Sequence, residues 1–232
     1  MGSKMPVFNQ LVIGRHSMQS ITRFLIGVTL VLCQVAHGSD AGQLYAVQTE
    51  SSYLHVYTGK AGLLKKLGHN HIISAKPESG QIKLGSGDDR LNSTASLVFR
   101  VTDFVVDDST LRKAAGEGFE SQPGARDIEG TRKNMLGSKL LNSDPHPEVN
   151  VSISLRELNG ESANFDVQVQ VAGFTAELQL AGTLSQQGNQ LIADAEFTLD
   201  HADLGLKPFK AAAGAIKVAK QLRFLLHVEA KK

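Results

Sequence analysis

From Val149 to Leu199, apolar residues recur at every second position through four successive segments. Val149, Val151, Ile153 and Leu155 alternate with Asn150, Ser152, Ser154 and Arg156, and Phe165, Val167, Val169 and Val171 with Asp166, Gln168 and Gln170. Phe174, Ala176, Leu178 and Leu180 make a third set, and Leu191, Ala193, Ala195, Phe197 and Leu199 a fourth; Asn159-Gly160 and Gly188-Asn189 supply turns between segments. Successive side chains on a strand point to opposite faces, so each segment buries one face and wets the other. The pattern predicts antiparallel strands joined in sequence.

Upstream, Leu44 to Gln48 and Tyr53 to Thr58 read as the first strands, with Leu54, Val56 and Thr58 on one face. Gly59 and Gly62 interrupt the pattern; His71 to Lys76 and Gln81 to Leu84 follow as strands joined at Pro77 to Gly80. Ser93 to Val106 reads as one longer strand, with Leu97, Phe99 and Val101 sharing a face. The middle differs in kind. Asp107-Asp108-Ser109 suits the cap of a short helix beginning near Thr110, and Asp127 to Leu141 has apolar residues at broadly helical spacing. With Gly116, Gly118 and Pro123-Gly124 between them, these predict a helical or loop insertion between strands, over one barrel end. The segment from Ala215 to Ala230, where Leu222, Phe224, Leu226 and Val228 alternate with Arg223, Leu225 and His227, closes the sheet. About eight long strands with little helix would expose two edges, and closing a barrel removes them; a β-sandwich is the rival architecture. The expected class is therefore all-β, mainly antiparallel, with a short helical insertion.

Composition narrows the setting. Arg23, the apolar run Phe24 to Val35 and the small residues Ala36 and Gly38 have the three parts of a secretory signal, with cleavage expected after Gly38. Residues 1–17, ahead of Met18, read as an upstream start or an added tail. The expected organisation is an extension and leader over 1–38 and one domain over 39–232. Loss of Lys4, Arg15 and Arg23 with the leader leaves 21 basic against 23 acidic residues, so nothing in the charge calls for nucleic acid. Cys33, the single cysteine, lies in the leader, which removes disulfides and thiolate chemistry from the mature chain. The expected location is periplasmic or secreted, with a mature form that does not span a membrane.

Gly68-His69-Asn70-His71 is the sharpest local feature, because His69 and His71 at i and i+2 on a strand would share a face and could bind one metal ion. Two histidines are an incomplete set, and sequence places no third ligand from His55, His146, His201 or His227. The alternative is a pair at a barrel mouth, bonding loop carbonyls or a ligand headgroup. His201-Ala202-Asp203 has no nucleophile motif around it, and no serine sits in a Gly-x-Ser-x-Gly elbow. The chain is expected to bind rather than catalyse.

Taken in order along residues 43–230, several short motifs resemble the YceI-like family of exported lipid-binding proteins. They are Tyr45-Ala46-Val47, a histidine-bearing segment leading into Ile72-Ile73, Gly130-Thr131-Arg132 with Met135 and Leu140-Leu141, the Pro147 to Ser154 strand, and Asp203-Leu204-Gly205-Leu206 before a strand ending Val228-Glu229-Ala230. The chain departs from the commoner pattern at 59–71. The resemblance implies an extended, lipocalin-like, eight-stranded barrel whose interior takes a polyisoprenoid chain, such as an isoprenoid quinone or another apolar lipid. It implies no other cofactor and no catalytic motif. Phe99, Val101, Val151, Ile153, Val169, Leu178, Phe197 and Phe224, the inward sets of their strands, are the expected lining, with Met135 and Leu136 covering one end. A metal- or haem-associated redox or stress protein using His69 and His71 is the alternative. A homodimer is compatible with either.

Overall fold

The structure, a computed structural model, describes residues 42–232; the leader, its cleavage site and residues 1–17 lie outside them. The strands run in order as β1 (Gln43–Val47), β2 (Tyr53–Ala61), β3 (His71–Ala75), β4 (Ser79–Leu84), β5 (Thr94–Arg100) and β6 (Val105–Val106). Two helices follow, α1 (Ser109–Ala115) and α2 (Ala125–Leu136). Then come β7 (Glu148–Asn159), β8 (Ser162–Val171), β9 (Phe174–Gln187), β10 (Gln190–Asp200), β11 (Lys210–Ala211) and β12 (Ile216–Lys231).

The long alternating segments form hairpins in chain order. β7 to β10 pair successively, with Val151 opposite Val169 and Val167 opposite Leu178, and β10 then pairs along its whole length with β12, where Phe197 lies opposite Phe224. Register is fixed because a slip of one residue would turn every inward apolar side chain out to water. These five strands are one side of a barrel.

The other side is built from pairs of short strands laid end to end. β12 pairs with β2 through His227↔Tyr53 and with β1 through Val47↔Ala230, so β1 and β2 share one edge of it. β3 pairs with β2 and β4 with β1; β6 in turn pairs with β3 and β5 with β4. Each pair acts as a single stave broken in the middle. Together with the five long strands they close an eight-stranded antiparallel barrel, completed by β5 against β7. All-β closure is the architecture expected, and the sandwich is excluded.

Two local expectations are corrected. Ser93 to Val106 is not continuous: a helical turn at Val101–Asp103 separates β5 from β6. Gly59 does not end its strand, since β2 runs on to Ala61. The backbone groups freed at the breaks find partners: Gln48 N–H donates to Glu229 O, Glu78 N–H to Val98 O, and Val101 N–H to Pro147 O. These bonds make the interruptions affordable in a buried wall.

The insertion forms, but its second helix ends at Leu136 instead of reaching Leu141, because Gly137 turns extended and closes it, its N–H donating to Lys133 O at 3.1 Å. Asp108 caps α1, its Oδ1 accepting from the backbone N–H groups of Thr110 and Leu111 at 2.9 and 3.0 Å. Met135 and Leu141 are buried under α2 and the turn after it. Among the described residues, no helix is long and apolar enough to cross a membrane.

Candidate ligand cavity

The barrel is filled unevenly. At one end Tyr45, Leu191 and Ala230 are buried and pack into the core, and none of them borders open space. Beyond them lies a cavity of about 430 Å³, within the roughly 300–1,000 Å³ of small-molecule sites. Its wall is the inward face of the alternating strands, including Val149, Ile153, Leu155, Phe165, Val167, Leu180, Ala193, Leu199, Leu222 and Leu226. Phe197 and Phe224 stack with ring centroids 5.0 Å apart and planes 5° from parallel, giving a flat aromatic panel on that wall. An apolar wall of this kind holds a ligand by excluding water, without fixing its orientation.

Polar groups gather where the insertion meets the broken staves. Asp107 is buried at a backbone φ of 58°, a conformation uncommon outside glycine and tolerated by Asp, and its carboxylate bonds in three directions. Oδ1 accepts from Arg112 Nη1 at 2.6 Å and from the Ile72 N–H at 3.0 Å; Oδ2 lies 2.6 Å from His71 Nδ1. Burial opposes its charge, but the bonds from His71 and Ile72, with the attraction of His71 and the bond from Arg112, outweigh burial and hold the carboxyl below its ordinary range.

Arg112 is buried as well, donating further to Asn70 O at 2.8 Å and Ser121 O at 2.6 Å, and its guanidinium lies 5.4 Å from the Phe119 ring centroid. This buried pair ties α1 and the following loop to β3.

His71 carries that network to the cavity. It lines the space together with Thr131 of α2, whose hydroxyl is 3.5 Å from His71 Nε2, and Thr58 of β2, which lies directly opposite His71 in register. The Thr58 hydroxyl is buried and has no hydrogen-bond partner among the described residues. The order Thr131, His71, Asp107 is that of a nucleophile relay, but 3.5 Å is too long for an activating bond and Asp107 is committed to Arg112 and the backbone. The arrangement offers a small polar spot at one end of a hydrophobic chamber.

Phe99, Met135, Val151, Ile153, Val169, Leu178, Phe197 and Phe224 all lie on the cavity wall. Val101 and Leu136 do not. Val101 sits in the helical turn that breaks its stave, which removes it from the alternation and buries it in the core, while Leu136 packs against the core away from the wall. His69 and His71 both border the cavity, but His69 precedes β3, their rings meet edge to face at 6.2 Å, and His71 Nδ1 is engaged by Asp107. Among the described residues no group of three or more His, Cys, Asp and Glu is placed to hold a metal ion.

Sequence reasoning missed Asp107 and Arg112 as a buried pair, because Asp107-Asp108-Ser109 carried only a capping signal. Thr58 was visible as the one polar residue of an apolar face.

No family model matches the chain, and no curated protein matches it in sequence. Among solved structures, BcnA of Burkholderia cenocepacia matches with a TM-score of 0.54 and 12% identity, covering 80% of this chain and 99% of that one. The two chains share one fold. It is the lipocalin-like barrel that the ordered motifs over 43–230 implied. The Campylobacter jejuni YceI protein matches more loosely, with a TM-score of 0.46 and 6% identity over 68% of this chain and 84% of that one.

Proposed function

We propose that this protein is an exported carrier or sequestering protein that holds a long apolar chain, isoprenoid in kind, inside its barrel. The observation that carries the reading is the cavity of about 430 Å³, walled by the inward faces of the alternating strands. At roughly 25 cal/mol per Å² of apolar surface, a chain that leaves water for such a wall gains several kcal/mol without any directional contact. The branched methyls of a prenyl chain match walls of Val, Ile, Leu and Phe, and the spot formed by Thr58, His71 and Thr131 suits a single polar headgroup. Export, to a periplasm or beyond the cell, rests on the leader pattern of residues 23–38. The role is binding, with no chemical step.

The test is organic extraction of the natively purified protein followed by mass spectrometry, with uptake of geranylgeraniol and of stearic acid measured on the delipidated protein. A co-purifying prenyl lipid and preferential uptake of geranylgeraniol are expected. Reproducible absence of any extracted lipid, with no uptake of either probe, would overturn the reading.

A further inference from the structure

The segment between β2 and β3, residues 62–70, turns outward as a lip at the cavity. Its stems, Gly59-Lys60 and Gly68-His69, border the cavity itself. Its crest exposes three leucines: Leu63 is 95% exposed, Leu67 69% and Leu64 45%. Folded proteins rarely leave large aliphatic side chains this bare in one short stretch unless they meet something.

The lip is a built feature. Gly62 turns at a φ of +92°, and a Cβ there would stand 2.4 Å from the Ala215 carbonyl oxygen, so glycine is required for the close approach. That oxygen accepts the Leu64 N–H at 2.9 Å, and a helical turn at Lys65–Leu67 follows, closed by Gly68 N–H bonding Lys65 O at 3.1 Å.

The charge around the leucines has one dominant sign. Lys65 and Lys66 sit between Leu64 and Leu67, Lys60 lies on the stem, and Lys217 and Lys210 come from the β12–β11 pairing beside it, with Lys217 opposite Ala61. Asn70 Nδ2 bonds the Gly118 carbonyl and brings a loop carrying Glu117 and Glu120 alongside, which leaves the lysines in excess.

We propose that this lip docks the barrel on an anionic lipid bilayer, with Leu63, Leu64 and Leu67 entering the interface and the lysines pairing with phosphate headgroups. The proposal rests on the lipid-binding reading of the cavity, whose apolar cargo has its source and destination in a membrane. Two observations favour a bilayer over a protein partner. Leucines flanked by lysines are the composition of interfacial membrane segments, and the lip continues directly into the wall of the cavity that the cargo enters. Docking there would let a chain pass from bilayer to barrel without crossing water.

Vesicle co-sedimentation of the full protein tests it, using equimolar phosphatidylglycerol and phosphatidylcholine against phosphatidylcholine alone, at low salt and at 0.5 M salt. Binding to the anionic vesicles is expected, falling several-fold without phosphatidylglycerol or at high salt. The Leu63→Asp/Leu67→Asp double variant should lose it tenfold or more, whereas Leu91→Asp, at another exposed leucine, should not. Both leucines are exposed, so circular dichroism should report an unchanged fold. A wild-type protein that yields extracted lipid yet ignores anionic vesicles overturns the lip and leaves the cavity reading intact, with a protein acceptor in place of the bilayer. A double variant that binds as tightly as wild type also overturns it. Vesicle binding by a protein that never yields or takes up lipid instead defeats the cavity reading.

Discussion

The two sides of the barrel are made differently, and function divides along the same line. β7 to β10 and β12 run without interruption over 10 to 16 residues, whereas each of the three facing staves is cut into two short strands. The unbroken side is a greasy wall: its alternation repeats so regularly that it presents only Val, Ile, Leu, Ala and Phe inward over most of its length. The broken side is where polarity enters. The start of β3 at His71 and the end of β6 at Val106 let the chain bring in Asp107, Arg112 and two helices, and the polar spot and the lip sit beside them. Long regular strands make a container; interruptions make its controls.

Variants can break that division. The largest effect is expected at Asp107→Ala, which strands the buried Arg112 guanidinium: loss of about 3–5 kcal/mol, read from urea unfolding, with α1 exchanging its amide protons first. Next, Leu191→Ala in the packed end should cost about 2–5 kcal/mol, whereas Leu178→Ala on the cavity wall should cost less than about 1 kcal/mol, since its side chain already faces empty space. Equal losses at the two positions would show that the cavity is filled by side chains in solution.

Val169→Trp, on the same wall, should lower uptake of geranylgeraniol by tenfold or more while leaving the unfolding midpoint nearly unchanged. Smaller is the pH response. The Asp107 carboxyl is held below its unfolded value, so its share of stability is complete above about pH 4 and is lost as pH falls through the depressed folded value. A stability profile between pH 6 and pH 2.5 should be flatter in Asp107→Asn than in wild type. Smallest is Thr58→Val: removing a hydroxyl that has no partner among the described residues should change stability by less than about 0.5 kcal/mol, while a headgroup contact would appear as weaker binding of geranylgeraniol.

How much of this was legible beforehand follows the same division. Where alternation was uninterrupted, periodicity alone placed Val151, Ile153, Val169, Leu178, Phe197 and Phe224 on the inward face, because strand geometry is strictly two-residue and register is enforced by burial. Val101 failed for the complementary reason. It continues the alternation of Leu97 and Phe99, yet a helical turn begins there, held by the Val101 N–H on Pro147 O, a partner 46 residues distant in sequence. Leu136 failed because helical spacing shows that a residue is apolar without showing what it faces.

The sequence by itself determined the long alternating strands, their inward faces and the Asp108 cap, since these depend on neighbours two to four residues away. Only the tertiary structure decided that six short strands would join as three staves, that Asp107 and Arg112 would meet in a buried pair, and that His71 would spend one nitrogen on that pair. Those outcomes depend on contacts between segments far apart in the chain, where the cost of burying a charge is offset only by the partner that folding delivers. The same holds for Leu63 and Leu67: their hydrophobicity is written in the sequence, but their exposure at the cavity is a property of the closed barrel.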